Sequence, residues 1–285
     1  MKRRFLTVVA IALLLTGCVS FKKSNKITLN YIEYARGKSF PNRADLSIQY
    51  GDNDYTLNNL HLDDQSFFED NSIIPNAFLK PLFKLKVTDA VKAWTEPYYS
   101  YRLIHFFKAN PHFGLGVEFI HLKVFMMDLD QKVRMTGKFR GETVDKSVRA
   151  GDILDLFNIS HGVNHAGIHF VYRWLFSPSL RVPEGRFQPY FDISAGPTIP
   201  HLELNTVEMD GVKKRAYSYQ SRLWNWGFGF GTGIRYKPWA GLGFFFEYKL
   251  TYSYLRGMYF DDMSDTSVKA NFLTHQLLWG LSFIF

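Results

Sequence analysis

The last fifteen residues of the chain, NFLTHQLLWGLSFIF, alternate between apolar and polar side chains and end on an aromatic residue. One face carries Leu273, Leu277, Trp279, Leu281, Phe283 and Phe285, and the other carries Thr274, Gln276, Gly280 and Ser282. This alternation predicts a strand with one face in lipid. Because hydrocarbon offers no hydrogen-bond partner, strands cross a membrane only as a closed barrel, and an aromatic last residue is typical of the closing strand of an outer-membrane β-barrel.

The first residues of the chain are typical of a secretory signal. Lys2, Arg3 and Arg4 precede an apolar run over residues 5–15, which is too short to span a bilayer. The run closes with Leu-Thr-Gly-Cys at 15–18, which resembles a bacterial lipobox and predicts that Cys18 becomes the lipidated first residue of the mature protein. The alternative is an ordinary signal peptide with a chance cysteine near its end. Cys18 is the only cysteine, so we expect no internal disulfide.

The composition agrees with a barrel. The chain has 27 Phe, 16 Tyr and 6 Trp among 285 residues, yet its mean hydropathy of -0.15 excludes a bundle of transmembrane helices. The formal net charge is +8, three positive charges of which lie in the signal segment. We expect a basic surface that meets the membrane and no nucleic-acid partner.

Eight alternating segments can be placed along the chain, at 44–51, 96–107, 112–125, 163–176, 187–203, 223–236, 242–254 and 271–285. The connections between them alternate between long and short, as they do in a barrel with extracellular loops and periplasmic turns. The sequence therefore predicts an all-β fold, an eight-stranded antiparallel transmembrane β-barrel with long extracellular loops in the outer membrane of a Gram-negative bacterium. Residues 1–17 would be the signal peptide, 18–43 a periplasmic segment, and 44–285 the barrel.

The predicted lumen is charged. A barrel of eight strands is only wide enough to be filled by side chains, so a pore is not expected. Buried charges persist only when they are paired, and we expect one network inside the barrel. Its predicted members are Glu118, Arg173, Arg235, Glu247 and Lys249.

Three further patterns have structural interpretations. His161, His165 and His169 recur every four residues, but four residues span about 13 Å of strand, so neighbours in this series cannot share one metal ion. The glycines of GFGFGTG at 227–233 would make room for long lumenal side chains rather than bind a phosphate. The first long loop mixes lysines with apolar residues at 79–94, which suits either a charged lipid surface or packing over the barrel mouth.

Polar residues continue the lipid-facing parity of three neighbouring strands towards the outer rim. His121 and Lys123 extend the third strand, Asn164 precedes the fourth, and His201 with Glu203 extends the fifth if Pro197 and Pro200 leave the register unchanged. Outward-facing polar groups at that level would meet lipopolysaccharide sugars and phosphates, or would lie above the membrane in water.

Four stretches of the chain resemble the outer-membrane lipid A oxidase family: GVEFIHLKVF, SHGVNHAGIHFVYRW, QPYFDISAGPTIPHLEL and GFFFEYKLTYS. The most specific pieces are FxHxK, GxNxxxxxxxYRW and PHxE. The resemblance implies oxidation of the proximal glucosamine of lipid A to an aminogluconate with oxygen. The positions that it implicates are His121, Lys123, Gly162, Asn164, Tyr172, Arg173, Trp174, His201 and Glu203. The long basic first loop and the lipobox depart from the family pattern.

The leading hypothesis is therefore lipid A modification at the outer leaflet. Lys123 and Asn164 would bind the substrate, while His121, His201 and Glu203 would act as acid or base, or would ligate a divalent metal that activates oxygen. Direct reaction with oxygen is the other option, since no flavin or haem motif is visible. The alternatives are a non-catalytic barrel for surface binding, adhesion or envelope stabilisation, and a lipid A deacylase using the pair Ser160 and His161.

Overall fold

The computed structural model describes residues 30–64, 98–160, 162–206, 216–219, 225–260 and 263–285. The predicted signal peptide at 1–17, Cys18, His161 and the basic stretch at 79–94 lie outside these residues. In the part of the chain that is described, no helix is long and apolar enough to cross a membrane.

The described chain is almost entirely strand. In chain order the strands are β1 Asn30–Pro41, β2 Ala44–Tyr50, β3 Asn53–Leu60, β4 Tyr99–Phe107, β5 Asn110–His121, β6 Val124–Phe125, β7 Lys132–Phe139, β8 Glu142–Arg149, β9 Leu154–Ile159, β10 His165–Arg173, β11 Phe187–Pro197, β12 His201–Thr206, β13 Ala216–Tyr219, β14 Trp226–Trp239, β15 Leu242–Phe260 and β16 Met263–Ile284. A 3-10 turn covers Ala150–Asp152.

Eight of these strands close into an antiparallel barrel. Their order is β1, β4, β5, β10, β11, β14, β15 and β16, and β16 pairs back onto β1 from Tyr31 opposite Ile284 to Pro41 opposite Thr274. Asn30 and Phe285 also exchange backbone hydrogen bonds, which joins the two ends of the described chain at the short-turn side. The predicted eight-stranded antiparallel barrel is confirmed.

The first barrel strand is not the predicted one. The sequence placed it at 44–51 and assigned 18–43 to the periplasm, whereas Asn30–Pro41 pairs with both β16 and β4 inside the barrel wall. The segment Ala44–Tyr50 pairs instead with the outer end of β16 and with β3. The prediction was wrong because both faces of β1 carry charged side chains, which hides the alternation.

The long extracellular connections fold into two further sheets. Strands β2, β3, β7 and β8 continue from the outer end of β16, and a second sheet has the order β13, β12, β9 and β6. A bridge between Asp63 and Phe125 links the two regions, and apolar side chains of both sheets belong to one buried cluster. In the part of the chain that is described, the barrel thus carries a packed extracellular part.

The outward face of the barrel is a lipid-facing surface. Large apolar side chains that point away from the lumen are more than half exposed, among them Leu103, Val117, Ile168, Phe170 and Phe246. A band of exposed apolar side chains around a closed barrel is the surface that a bilayer covers. The protein is therefore a transmembrane barrel of the outer-membrane type, as predicted.

Buried ion pairs fill the lumen. Arg102 donates from Nε to Glu118 at 2.7 Å and from both terminal nitrogens to Glu247 at 2.6 and 2.7 Å. Lys249 Nζ donates to Asp192 at 2.7 Å and lies 2.9 Å from the Glu118 carboxylate. All five side chains are almost completely buried, so the predicted network is confirmed and is larger than expected.

Two predicted members of the network have different surroundings. Arg235 forms an ion pair with Glu33, a residue of the unexpected first strand. Arg173 is buried but donates to neutral groups, the Tyr31 hydroxyl at 2.5 Å and the Gln188 carbonyl at 3.2 Å. Its charge is also held over the Phe106 ring, 3.4 Å from the ring centroid.

The glycines of β14 have the expected steric role. A Cβ at Gly227 would overlap the imidazole of His165, and one at Gly231 would overlap the carboxylate of Asp192. The imidazole of His165 is itself held by Thr198 at 2.5 Å and Ser253 at 3.1 Å. Glycine on the lumenal face therefore admits polar side chains from facing strands.

Candidate functional site

A group of polar residues lies where the barrel meets its extracellular part. We call His121, Gly162, Asn164 and His201 the rim cluster. His121 ends β5, Gly162 and Asn164 lie in the segment before β10, and His201 begins β12. The sequence predicted that His121, Asn164 and His201 would lie close together.

A hydrogen bond joins the first pair of the cluster. His121 Nδ1 lies 2.8 Å from Asn164 Oδ1, which fixes the orientation of the imidazole. Tyr99, directly opposite in β4, stacks on the His121 ring with centroids 4.7 Å apart. The His121 imidazole is thus held at one nitrogen by the Asn164 amide and on one face by the Tyr99 ring.

The backbone around Asn164 is specialised. Gly162 has φ +97° and Asn164 has φ +50°, both in the left-handed region. Asn164 Nδ2 donates to the carbonyls of Gly162 and Ile199, each at 3.0 Å. A Cβ at Gly162 would overlap the His121 ring, so only glycine fits this close approach.

His201 and Glu203 do not extend the fifth barrel strand. Strand β11 ends at Pro197, and the chain then passes into β12 of the separate extracellular sheet. Pro197 still pairs with Trp226 and the Thr198 N–H donates to the Asn225 carbonyl, but the chain then leaves the barrel ladder around Pro200, so the register does not continue to His201. The His201 backbone N–H donates to the Gly162 carbonyl at 3.1 Å, which still brings His201 to the cluster.

Glu203 and Lys123 flank the cluster along the segment 159–164. Ser160 donates to the Glu203 carboxylate at 2.6 Å. Lys123 precedes Val124, which pairs with Ile159. The structure therefore brings all five predicted site residues to one short segment of chain, with a direct side-chain hydrogen bond between His121 and Asn164.

These residues are more covered than predicted. His121, Lys123, His201 and Glu203 are 8%, 8%, 3% and 7% exposed, and only Asn164 is half-buried. The parity of β5 does direct His121 away from the lumen, since Glu118 and Ile120 point inward and are buried. The extracellular sheets cover what a bare barrel would expose, so the expected open lipid-facing site is wrong in this respect.

The suggested metal ligands do not converge. Among the described residues, one ligand atom each from Glu118, His169 and Asp192 lies within 4.8 Å of the others, and His121, His201 and Glu203 form no such group. The lumenal group already surrounds the Lys249 ammonium. His169 Nε2 lies 3.1 Å from Asp192 Oδ1 but without good hydrogen-bond geometry.

The charges in the lumen decide whether Glu118, His169 and Asp192 could hold a metal ion. Among the residues that the structure describes, the buried lumenal charges are five acidic and five basic side chains, namely Glu33, Glu118, Glu184, Asp192, Glu247, Arg102, Arg173, Arg235, Lys237 and Lys249. The formal charges of these ten side chains sum to zero. A divalent cation would add two uncompensated buried charges, so the lumenal group does not fit a metal.

An apolar groove lies on the lipid side directly below the rim cluster. Its volume is about 680 Å³, and its lining includes Tyr101, Phe119, Ala166, Ile168, Ala195 and Trp226. Ala166 pairs with Phe119 one alternation below Asn164 and His121. The groove exists because small residues of β10 and β11 lie between larger aromatic side chains.

The sequence missed three residues near this site. Tyr99 begins β4, and Arg36 and Lys38 lie on the outward face of β1, where Arg36 pairs with Tyr99. Strand β1 could have been predicted by asking which segment pairs with the last strand, β16. An even-stranded barrel closes its last strand on its first.

No protein-family model matches this chain, and no curated protein sequence matches it. Solved structures with a similar chain path include the outer membrane protein OprG from Pseudomonas aeruginosa, at 11% identity and a TM-score of 0.40 over 90% of this chain and 96% of that one. Neisserial surface protein A has 8% identity and a TM-score of 0.38 over 90% and 97%. The outer membrane protease OmpT from Escherichia coli has 9% identity and a TM-score of 0.37 over 95% and 100%. Similarity at this level carries no argument about function, and the fold rests on the strand pairing itself.

Proposed function

We propose that this protein is an enzyme of the outer membrane that modifies lipid A, oxidising its proximal glucosamine to an aminogluconate with oxygen. The observation that carries the proposal is the hydrogen-bonded pair of His121 and Asn164 at the outer rim, in motifs that resemble the lipid A oxidase family. The geometry supports an imidazole held in one orientation at the level of lipid headgroups.

The position of the pair suits this substrate. Lipid A is anchored by acyl chains, so its sugars stay at the membrane surface and can be reached only by groups at the rim. The apolar groove below His121 and the polar residues around it follow the same order, from apolar to polar, as the lipid itself. A soluble substrate would not require that order.

The chain's own residues would bind the lipid and transfer protons. Oxidation at the anomeric carbon removes two electrons and two protons, which oxygen accepts as hydrogen peroxide, and addition of water then gives the acid. His121 would take the proton of the anomeric hydroxyl, and its bond to Asn164 would select the ring nitrogen that does so. Lys123 would attract a phosphate, while His201 and Glu203 would position the segment beside the pair.

The test is the mass spectrum of lipid A from cells with and without the protein. Oxidation adds one oxygen atom to lipid A in the cells that carry it. Loss of an acyl chain would instead identify a deacylase. Against that alternative, Ser160 donates directly to Glu203, and among the described residues no imidazole lies between them to act as the base. Unchanged lipid A would favour a non-catalytic barrel that binds through its extracellular sheets.

Gly162→Ala is expected to reduce oxidation at least tenfold while the barrel stays folded. The added methyl group would overlap the His121 ring and turn it away from Asn164, because this backbone has no room for a Cβ. The measurement is the oxidised fraction of lipid A, together with heat-modifiable migration as the assay for a folded barrel.

Gly141→Ala provides the matched control. Gly141 also has a positive φ, +82°, so alanine carries a similar backbone cost there, but its Cβ would meet no atom within 4 Å. This variant should oxidise lipid A normally. Equal activity of the two variants would show that the position of His121 does not matter for the reaction.

A further inference from the structure

Two cationic side chains lie on the outward face of the first barrel strand. In β1 the inward side chains, Glu33 and Ala35 among them, are buried, and the alternate positions Arg36 and Lys38 point away from the lumen. Cations on the lipid face are strongly unfavourable at the centre of a bilayer and are accepted near its surface. Their presence therefore indicates the level of lipid headgroups on this side of the barrel.

Arg36 belongs to the same row of paired residues as His121 of the rim cluster, and Lys38 follows two residues later on the same face. Arg36 pairs with Trp279 of β16 on one side and with Tyr99 of β4 on the other, and Tyr99 pairs with His121. Adjacent strands are about 4.8 Å apart, so Arg36 and His121 are separated by about 10 Å across the wall. A single sugar headgroup lying on the barrel could meet both.

The groove lies below this row on the same strands. Ile32 of β1, Tyr101 of β4 and Phe119 of β5 line the groove, and each points outward below the level of Arg36, Tyr99 or His121. Because the groove faces the bilayer, the group suited to fill it is an acyl chain of a lipid. The apolar groove and the cations above it thus match an anionic lipid in orientation and in charge.

We propose that Arg36 and Lys38 bind a phosphate of lipid A while one of its acyl chains lies in the groove. This inference rests on the proposed function, since it places the proximal sugar beside His121. Oxidation needs a free hydroxyl on the anomeric carbon of that sugar. The phosphate held by Arg36 and Lys38 is therefore the one on the distal sugar, two strands away from the reacting carbon.

The headgroup test compares lipid binding by purified full-length variants. Arg36→Gln/Lys38→Gln should bind lipid A in phosphatidylcholine vesicles about thirtyfold more weakly than the wild type. Each cation near an anionic surface raises affinity about fivefold, and two such factors multiply. Lys132→Gln/Lys146→Gln removes two charges from exposed positions of the extracellular hairpin and should bind normally. Unchanged binding by the first variant would overturn the proposal.

The groove is tested separately. Ala166→Leu/Ala195→Leu fills it with side chains that point into lipid, and should weaken lipid A binding about tenfold. Thr232→Trp adds comparable bulk to the outward face of β14 away from the groove and should have no effect. Equal affinity of the groove variant and this control would contradict an acyl chain at this place.

Two further results separate the binding site from the reaction. Wild-type protein should prefer lipid A to phosphatidylglycerol in the same vesicles, and equal affinity for both would overturn the assignment to lipid A. If the wild type binds lipid A through these residues but cells carrying it show no oxidised lipid A, the site stands and the proposed oxidation fails.

Discussion

His121→Ala is expected to reduce lipid A oxidation by a hundredfold or more without preventing the barrel from folding. Loss of a positioned acid–base group lowers rates by about 10²–10⁴-fold. His121 lies at the end of β5 rather than within the lumenal network, so its removal leaves the ion pairs of the barrel in place. The oxidised fraction of lipid A, measured on cells with equal amounts of folded protein, gives the result.

Two comparison variants sharpen this prediction. His105→Ala removes an exposed imidazole that bonds Asn30 near the periplasmic end of the barrel, and should leave oxidation unchanged. Lys123→Ala should lower turnover less than His121→Ala if its role is only to attract phosphate. Full activity of both His121→Ala and Lys123→Ala would leave the non-catalytic barrel as the better interpretation.

Arg102→Met is expected to destabilise the barrel by about 3–5 kcal/mol, the usual cost of leaving buried charges without their partner. Arg102 is 2% exposed, donates to Glu118 and Glu247, and lies 3.7 Å from Glu33. Its loss would leave the lumen with one excess negative charge among three carboxylates that water does not reach. Urea unfolding of the protein in lipid vesicles measures the change in free energy.

The same substitution at an exposed arginine is the control. Arg134 pairs with Asp145 on the extracellular hairpin, where both side chains are more than half exposed, so Arg134→Met should change stability little. In addition, Glu247→Gln should recover part of the loss when it is combined with Arg102→Met, since it removes one of the unpaired charges. Equal destabilisation by Arg102→Met and Arg134→Met would show that the lumenal network contributes little.

The barrel was predictable wherever a strand separates lipid from lumen. In β15, Phe244 and Phe246 face lipid while Glu247 and Lys249 face the network, so the alternation is plain in the sequence. In β1 the outward face carries Arg36 and Lys38 and the inward face carries Tyr31 and Glu33, so neither face is simply apolar or polar. A strand of that composition is recognised only from its partners.

The sequence predicted which residues belong to the candidate site, but not which parts of the chain cover them. Parity along β5 placed His121 on the outer side of the wall, which the structure bears out. Its covering could not be foreseen, because the extracellular sheets form by pairing between segments far apart in the chain, such as β3 with β7 and β12 with β9. Tyr99 lies inside the predicted strand 96–107, but its stacking on His121 depends on the register between β4 and β5, which the sequence does not specify.

The closing strand β16 has a consequence for how the molecule is assembled. Its outer part, 267–271, pairs with β2 of the extracellular sheet, and its remainder pairs with β1 to seal the barrel. Both parts of the molecule thus need β16. Neither closure of the wall nor completion of the extracellular sheet can precede the pairing of β16, so deletion of β16 would leave an open wall and an unfinished extracellular sheet.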